Sequence, residues 1–321
     1  MKTIRFENLD SISTKKSVLD FIKWRRARNK KQKDTSFIIE QSPIKQIDYL
    51  QGNKSKTTIT WIGHSTFLIQ SDGLNILTDP VWSNKLKVVS RISNPGLTME
   101  DLPPIHVVLL SHGHYDHLDF TTLRKLHPDV LYLVPAGLQA LFKRKGFLNV
   151  KEYSWWEAET INEVTFSFVP AQHWTRRTLF DTNRSHWGGW IIEGHEETVY
   201  FCGDSGYFRG FKEIGEKYSI DIALMPIGAY EPEWFMKVSH MTPEESIKAY
   251  LDLGAHHFIP MHYGAFLLAD ETPKEALTRL RNEWNRLQLP WEKLHLLFLG
   301  QTFTPSVAVN LEEEKELQNM Q

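Results

Sequence analysis

The sequence has a single cysteine, Cys202, among 321 residues. That excludes an internal disulfide framework and fits a reducing compartment. Its neighbours Tyr200 and Phe201 mark it as a buried strand thiol with no chemical role. No apolar run approaches the roughly 18–20 residues that a membrane span requires. The basic residues near the N-terminus follow, rather than precede, the short apolar run, which is not the order of a signal peptide. A cytoplasmic protein is therefore expected. Charge of one sign is also lacking: 37 Lys and Arg nearly balance 39 Asp and Glu, for a net charge of −2. Nothing global draws the chain to nucleic acid, and no nucleic-acid partner is expected. What is present is apolar material for a large core, at 41% of residues. Aromatics are frequent too, with eleven tryptophans.

Three regions separate along the chain. Residues 1–55 form a basic N-terminal extension, expected to be partly helical: Val18, Leu19, Phe21, Ile22 and Trp24 give a partial helical stripe amid the Lys and Arg of residues 15–33. Residues 56–305 form the main domain. Residues 306–321 are an acidic tail. Within the main domain short apolar, β-branched runs lead at once to a histidine or aspartate. Thr57–Ile62 leads to His64, and Thr66–Ile69 resumes an extended pattern before Leu74–Thr78 leads to Asp79. His106–Leu110 leads to His112, Val164–Val169 to His173, Thr198–Cys202 to Asp204, Ile220–Met225 to Pro226, and His257–Ile259 to His262. These runs have the length and composition of buried strands. Helical patterns sit between some of them, over Thr121–Leu126, Pro135–Lys145 and Pro243–Leu253. The last has Thr242 as N-cap, Pro243 at the first helical position and Glu245 completing a capping box. Strands mixed with helices imply a layered α/β architecture, which builds its sites where strands end.

The most informative stretch is Ser111-His112-Gly113-His114-Tyr115-Asp116-His117. Four metal-ligand side chains fall within six residues. Imidazole with carboxylate suits zinc, manganese or iron better than calcium or magnesium. In an extended loop His112 and His114 point to one side and can share an ion, while Asp116 and His117 reach a second. One such histidine would read as a solvated loop residue or a helix cap. Three with an aspartate, directly after an apolar strand, are costly to bury unless something binds them. Further ligands must come from later strand ends. His173, Asp204 and His262 fit; each is weak alone, and together they supply two imidazoles and a carboxylate.

The order His-x-His-x-Asp-His, then His, Gly-Asp and His resembles the binuclear metallo-β-lactamase superfamily. Within it the sequence is most similar to the N-acylphosphatidylethanolamine-hydrolysing phospholipase D group. The similarity rests on Ile62-Gly63-His64-Ser65-Thr66, Leu77-Thr78-Asp79-Pro80, Gln172-His173-Trp174-Thr175-Arg176-Arg177, Gly203-Asp204-Ser205-Gly206-Tyr207 and Pro226-Ile227-Gly228-Ala229-Tyr230-Glu231-Pro232. It spans about residues 55–305. The resemblance implies a four-layer αββα sandwich with two divalent metal ions, zinc first among them, at one edge of the sheets. One ion would take His112, His114 and His173, the other Asp116, His117 and His262, with Asp204 bridging both.

Two divalent ions, two aspartates and a bridging hydroxide leave about +1, which attracts an anionic substrate such as a phosphodiester. A metal-lowered water pKa makes hydroxide available as nucleophile at neutral pH. His240, in the loop before the Thr242 cap, is the candidate auxiliary acid or phosphate contact. His64 and Asp79 are expected to orient ligands from behind. Trp174, Trp187, Trp190, Tyr230, Trp234 and Phe235 either line an acyl groove or pack the loops; Arg176 and Arg177 either hold phosphate or face water. The substrate is read as a phospholipid or a smaller molecule. The basic segment 15–33 either rests on an anionic membrane or packs as a solvated helix. The membrane enzymes of the resembled group form homodimers. Two alternatives stand beside the phosphodiesterase: a lactonase or soluble phosphodiesterase on the same site, and a non-catalytic metal-stabilised binding or sensor protein. The complete ligand set argues against the last.

Overall fold

The structure, a computed structural model, describes residues 5–28 and 33–305. The acidic tail at 306–321 and residues 29–32 of the basic run lie outside the described residues. The N-terminal stripe is a helix, α1 (Val18–Arg28), followed by α2 (Ile47–Gly52). Then come β1 (Thr58–Gly63), β2 (Thr66–Ser71), β3 (Leu74–Thr78), a small hairpin of β4 (Lys85–Leu86) and β5 (Val89–Ser90), and β6 (Val107–Leu109). After α3 (Phe120–Leu123) the chain forms β7 (Leu131–Pro135), α4 (Gln139–Arg144), β8 (Val150–Tyr153), β9 (Ala158–Ile161), β10 (Val164–Val169), β11 (Gly189–Glu193) and β12 (Thr198–Phe201). It continues through α5 (Gly210–Lys217), β13 (Ile222–Pro226), α6 (Glu233–Met236), α7 (Pro243–Leu253), β14 (His257–Met261), α8 (Pro273–Arg286) and β15 (Thr302–Phe303).

Two sheets result, in the orders β15-β1-β2-β3-β6-β7-β8 and β14-β13-β12-β11-β10-β9. The period-two alternation of side chains decides which face of the first sheet meets what. Phe67, Ile69, Ile76, Val107, Leu109 and Leu133 face the second sheet and share one core with its Phe166, Phe168, Trp190 and Phe201. Their neighbours Leu68, Leu77, Val108, Tyr132 and Val134 face outward and join Leu123, Leu138 and Phe142 around α3 and α4. Beyond the second sheet Ile214, Ile247, Leu277, Leu280 and Trp284 attach α5, α7 and α8 to it. The four layers are helices, sheet, sheet and helices, as the αββα expectation has it.

Leu74–Thr78, Val164–Val169 and Pro243–Leu253 have the bounds the sequence predicts, and the Thr242–Glu245 capping box is formed. Two helical patterns shorten. Pro135 closes β7 instead of opening a helix, so α4 begins at Gln139, and α3 spans four residues. Residues before 56 lie against both cores: Ile39 is buried in the inter-sheet core and Leu50 in the outer one.

Strand direction positions the site. β3, β6, β7 and β8 are parallel, β12, β13 and β14 are parallel, and the antiparallel partners between them return β1 and β10 to the same direction. The C-terminal ends of β1, β3, β6, β10, β12 and β14 therefore deliver His64, Asp79, Ser111–His117, His173, Asp204 and His262 to one edge of the sandwich.

Candidate metal centre

His112, His114 and His173 form one cluster. Nδ1 of His114 lies 2.9 Å from His112 Nε2 and 3.2 Å from His173 Nε2. Asp116, His117 and His262 form a second, joined by His64: Oδ2 of Asp116 lies 3.2 Å from His64 Nε2, 3.3 Å from His117 Nε2 and 3.5 Å from His262 Nε2. In each of these two groups the ligand-capable atoms lie within 4.8 Å of one another. Asp204 sits between them. Its Oδ2 is 3.2 Å from His117, 3.8 Å from His173 and 3.9 Å from His112, and its Oδ1 is 3.0 Å from His262. Gly203 allows that placement, with φ of 64° and space that a Cβ would take from Ser111 at 2.5 Å.

The donors behind the ligands fix which ring nitrogens face inward. Asp79 Oδ2 accepts from Ser111 Oγ–H at 2.5 Å and lies 2.6 Å from His117 Nδ1, while its Oδ1 accepts from Ser111 N–H at 2.8 Å. Ser111 Oγ is in turn 2.9 Å from His112 Nδ1. A carboxylate only accepts, so the proton direction is His112 Nδ1–H to Ser111 Oγ–H to Asp79, with His117 Nδ1–H arriving from the other side. Both imidazoles are left presenting Nε2 lone pairs to the clusters. His173 Nδ1–H donates to the Ser239 carbonyl at 2.9 Å, which aims its Nε2 the same way. Ser111 lies within the motif that the sequence singles out, but its hydroxyl carries no signal of this relay. Ser239 contributes only a carbonyl, which no residue identity reveals.

Buried polar atoms in and around the two clusters are left over. Among the described residues, His64 Nδ1, His114 Nε2, His117 Nε2, His240 Nδ1, Asp204 Oδ1 and both ring nitrogens of His262 are buried without a hydrogen-bond partner. Close approach without bonding geometry is costly for buried polar groups and is what a metal ion resolves. Burial drives His64 down to about 3 and His114 and His240 to about 4, and carries His112 and His173 well below the ordinary histidine value. These rings are neutral and offer lone pairs. Burial also disfavours charge on His262 and His117, but the carboxylates of Asp204 and Asp116 outweigh it, raising His262 to about 9 and His117 well above its usual value. Burial likewise opposes ionisation of Asp116 and Asp204, yet His117 and His262 hold both carboxyls far below the carboxylate range. The carboxylates call for positive charge at this edge, which divalent ions supply in place of protons. Backbone strain gathers here too: φ is 56° at His64, 34° at Asp79, 60° at Ala229 and 61° at His262.

His240 stands at the rim, with Nδ1 3.9 Å from Asp204 Oδ2. Trp174 is edge-on to His114 with ring centres 4.6 Å apart, and the exposed Arg176 lies 5.7 Å above the Trp174 ring. The other aromatic candidates divide. Tyr230 is 1% exposed beneath Arg279, so it does not line a substrate groove; it packs the loop that carries it. Trp187 and Trp190 are likewise fully buried. Trp234 is 41% exposed, with Lys23 4.3 Å above its ring. Arg177 is half-buried, with one guanidinium nitrogen turned inward. It donates to the carbonyls of Gly113 and Leu118 at 2.9 and 3.0 Å and braces the ligand loop from behind.

Residues 74–263 match the beta-lactamase superfamily domain, and the chain belongs to this family. It is 37% identical over 226 residues to the N-acyl-phosphatidylethanolamine-hydrolyzing phospholipase D 1 of Caenorhabditis elegans, covering 64% of each chain. It thus spans somewhat less than two thirds of that relative's length. It is 31% identical over 226 residues to a UPF0173 metal-dependent hydrolase of Pyrobaculum islandicum, covering 69% of this chain and 91% of that one. Among solved structures, Igni18, a metallo hydrolase from Ignicoccus hospitalis, shares the fold with a TM-score of 0.61 at 24% identity, over 79% of this chain and all of that one.

Proposed function

We propose that the chain is a binuclear metal-dependent hydrolase whose substrate is a phosphodiester, of the N-acylphosphatidylethanolamine phospholipase D type. One observation carries the binuclear reading: Asp204 lies between two ligand clusters and approaches two imidazoles of each at 3.0–3.9 Å, with His240 a fifth at 3.9 Å. His112, His114 and His173 would hold one ion, Asp116, His117 and His262 the other, and Asp204 both. Zinc, manganese and iron suit this donor set. When bound, such ions would lower the pKa of water toward neutrality and polarise phosphoryl oxygens.

The chain's own residues do the rest. Asp79, Ser111 and Ser239 hold ligand tautomers. Only two ligand carboxylates face two divalent ions, so the edge stays net positive and favours an anionic substrate. His240, neutral and at the rim, would meet a phosphoryl or leaving-group oxygen as a hydrogen-bond donor through its ring N–H. Trp174 and Arg176 border the approach. Val18 and Leu19 of α1 are each 75% exposed beside Lys15, Lys23, Arg25 and Arg26, a face suited to peripheral contact with an anionic membrane. The name of the nematode relative supports a phospholipid substrate; a small soluble phosphodiester would use the same edge.

The test is a screen of metal-loaded protein against a bis-aryl phosphodiester, a lactone, and an N-acyl phospholipid in neutral and in anionic vesicles. Turnover of both phosphodiesters, with the lipid favoured in anionic vesicles, is expected. Turnover of the lactone alone would overturn the phosphodiesterase reading.

A further inference from the structure

His173 lies past the end of β10, in irregular backbone, so its N–H and C=O have no strand ladder to join. Both are taken by one side chain far away in sequence. Asn8 Oδ1 accepts from His173 N–H at 3.0 Å, and Asn8 Nδ2 donates to the His173 carbonyl at 2.9 Å. The same Oδ1 accepts from Trp187 Nε1–H at 2.9 Å, and Nδ2 also donates to the Ile12 carbonyl at 3.0 Å. The amide is buried, and every polar atom it has is used. The arm that carries it is docked on either side. Phe6 N–H donates to the Asn183 carbonyl at 2.8 Å, the Phe6 ring stacks on His186 at 4.4 Å, and Asp10 pairs with Arg209 at 2.8 Å.

With the Ser239 carbonyl on Nδ1, His173 is thus held at its backbone N–H, its backbone C=O and the outer nitrogen of its ring. The one polar atom left is Nε2, directed at His114 and Asp204. α1 reaches the same place by another route. Trp24 stacks on Phe235 at 5.2 Å, and Phe235 lies in α6, whose Met236 carbonyl accepts from the backbone N–H of both Ser239 and His240.

We infer that Asn8 is a positioning residue for the metal centre: the N-terminal arm sets the His173 imidazole and so governs retention of the ion shared by His112, His114 and His173. The inference rests on the binuclear reading. Asparagine suits the position because it offers one acceptor and one donor to the two backbone groups. Aspartate would satisfy the N–H but set a lone pair against the carbonyl.

The experiment uses the full chain as wild type, Asn8→Ala, Asn8→Asp and Trp187→Phe, each loaded with cobalt(II). Ion affinity is read by chelator competition and the visible cobalt spectrum. Exchange of the His173 amide is read separately in metal-free protein, with the melting temperature recorded throughout. Both Asn8 variants are expected to weaken one of the two ions by about 10–100-fold, the usual effect of losing a group that orients a ligand. They should spare the second ion and change the spectrum of one site; Asn8→Ala should also speed exchange at His173, while Asn8→Asp, still accepting from that N–H, should leave it slow. Trp187→Phe removes the indole N–H that Asn8 Oδ1 and the Ala171 carbonyl share, leaves both Asn8 bonds to His173, and should keep both ions. Unchanged affinity and exchange in Asn8→Ala would overturn the inference. So would a parallel loss of both ions with a lowered melting temperature, or an equal loss in Trp187→Phe. Wild type that binds fewer than two ions would instead defeat the binuclear reading, and exchange at His173 would still decide what Asn8 does.

Discussion

Replacing Asp79 by asparagine changes one atom and reverses the logic of a proton relay. Asp79 is fully buried, and burial raises its carboxyl even as His117 and Ser111 oppose that rise. It takes three donors: His117 Nδ1–H at 2.6 Å, Ser111 Oγ–H at 2.5 Å and Ser111 N–H at 2.8 Å. An amide at the same place must turn its NH2 one way or the other. Facing His117 and Ser111 Oγ, it sets donor against donor and favours the tautomer of His117 whose Nε2 carries hydrogen. Ser111 O–H, displaced, then turns to His112 Nδ1 and imposes the same wrong tautomer there. Facing Ser111 N–H, the amide meets a backbone donor with no freedom to turn. Each arrangement leaves a buried donor unpaired. Losing a ligand-orienting partner costs about 10–100-fold in metal affinity, or roughly 1.4–2.7 kcal/mol. Because the relay reaches a ligand of each cluster, Asp79→Asn should weaken both ions by about that factor. Ser111→Ala should weaken only the His112-His114-His173 ion. The assay is chelator competition with cobalt(II), resolved by site from the visible spectrum. Wild-type affinity in Asp79→Asn, or loss of a single ion, would refute the relay.

Asp204→Ala should remove both ions together, since its carboxylate approaches four imidazoles across the two clusters. Metal analysis showing one ion retained would contradict its bridging place. His240→Ala should lower turnover by about 10²–10³-fold with metal content intact. Loss of an ion instead would make His240 a ligand, which its 3.9 Å approach to Asp204 makes a direct question. The Cys202 thiol is fully buried and pushed up to about 12 by that burial, so it should resist a thiol reagent at pH 8 in the folded protein and react stoichiometrically in denaturant. Rapid labelling of the folded chain would show that β12 opens.

The metal edge was legible because its residues follow apolar strands: Leu74–Thr78 before Asp79 and Val164–Val169 ahead of His173 both have the predicted bounds. Strands that lead to no ligand went unread, including the apolar, buried β7 and β11. β8 sets the exposed pair Lys151 and Glu152 between buried Val150 and Tyr153, a short edge pattern without the strand alternation. α8 was missed despite bearing the same signature as α7, with Thr272, Pro273 and Glu275 in a capping box and Leu277, Leu280 and Trp284 on its buried face. There the signal was present and unused. Tyr230 shows the opposite error. Proximity in sequence to a ligand loop does not give exposure, and Arg279, 49 residues later, covers the ring. Asn8 could not have been found at all. Its partner is 165 residues away, and a lone asparagine in a polar segment has no periodicity to betray it.

The most direct test of the account is the number of ions held by each wild-type chain. Metal-free protein titrated to saturation with zinc, freed of excess and analysed for metal against protein concentration should give two ions per chain. A plateau at one ion, or none, would contradict the binuclear centre, and with it the role given to Asp204.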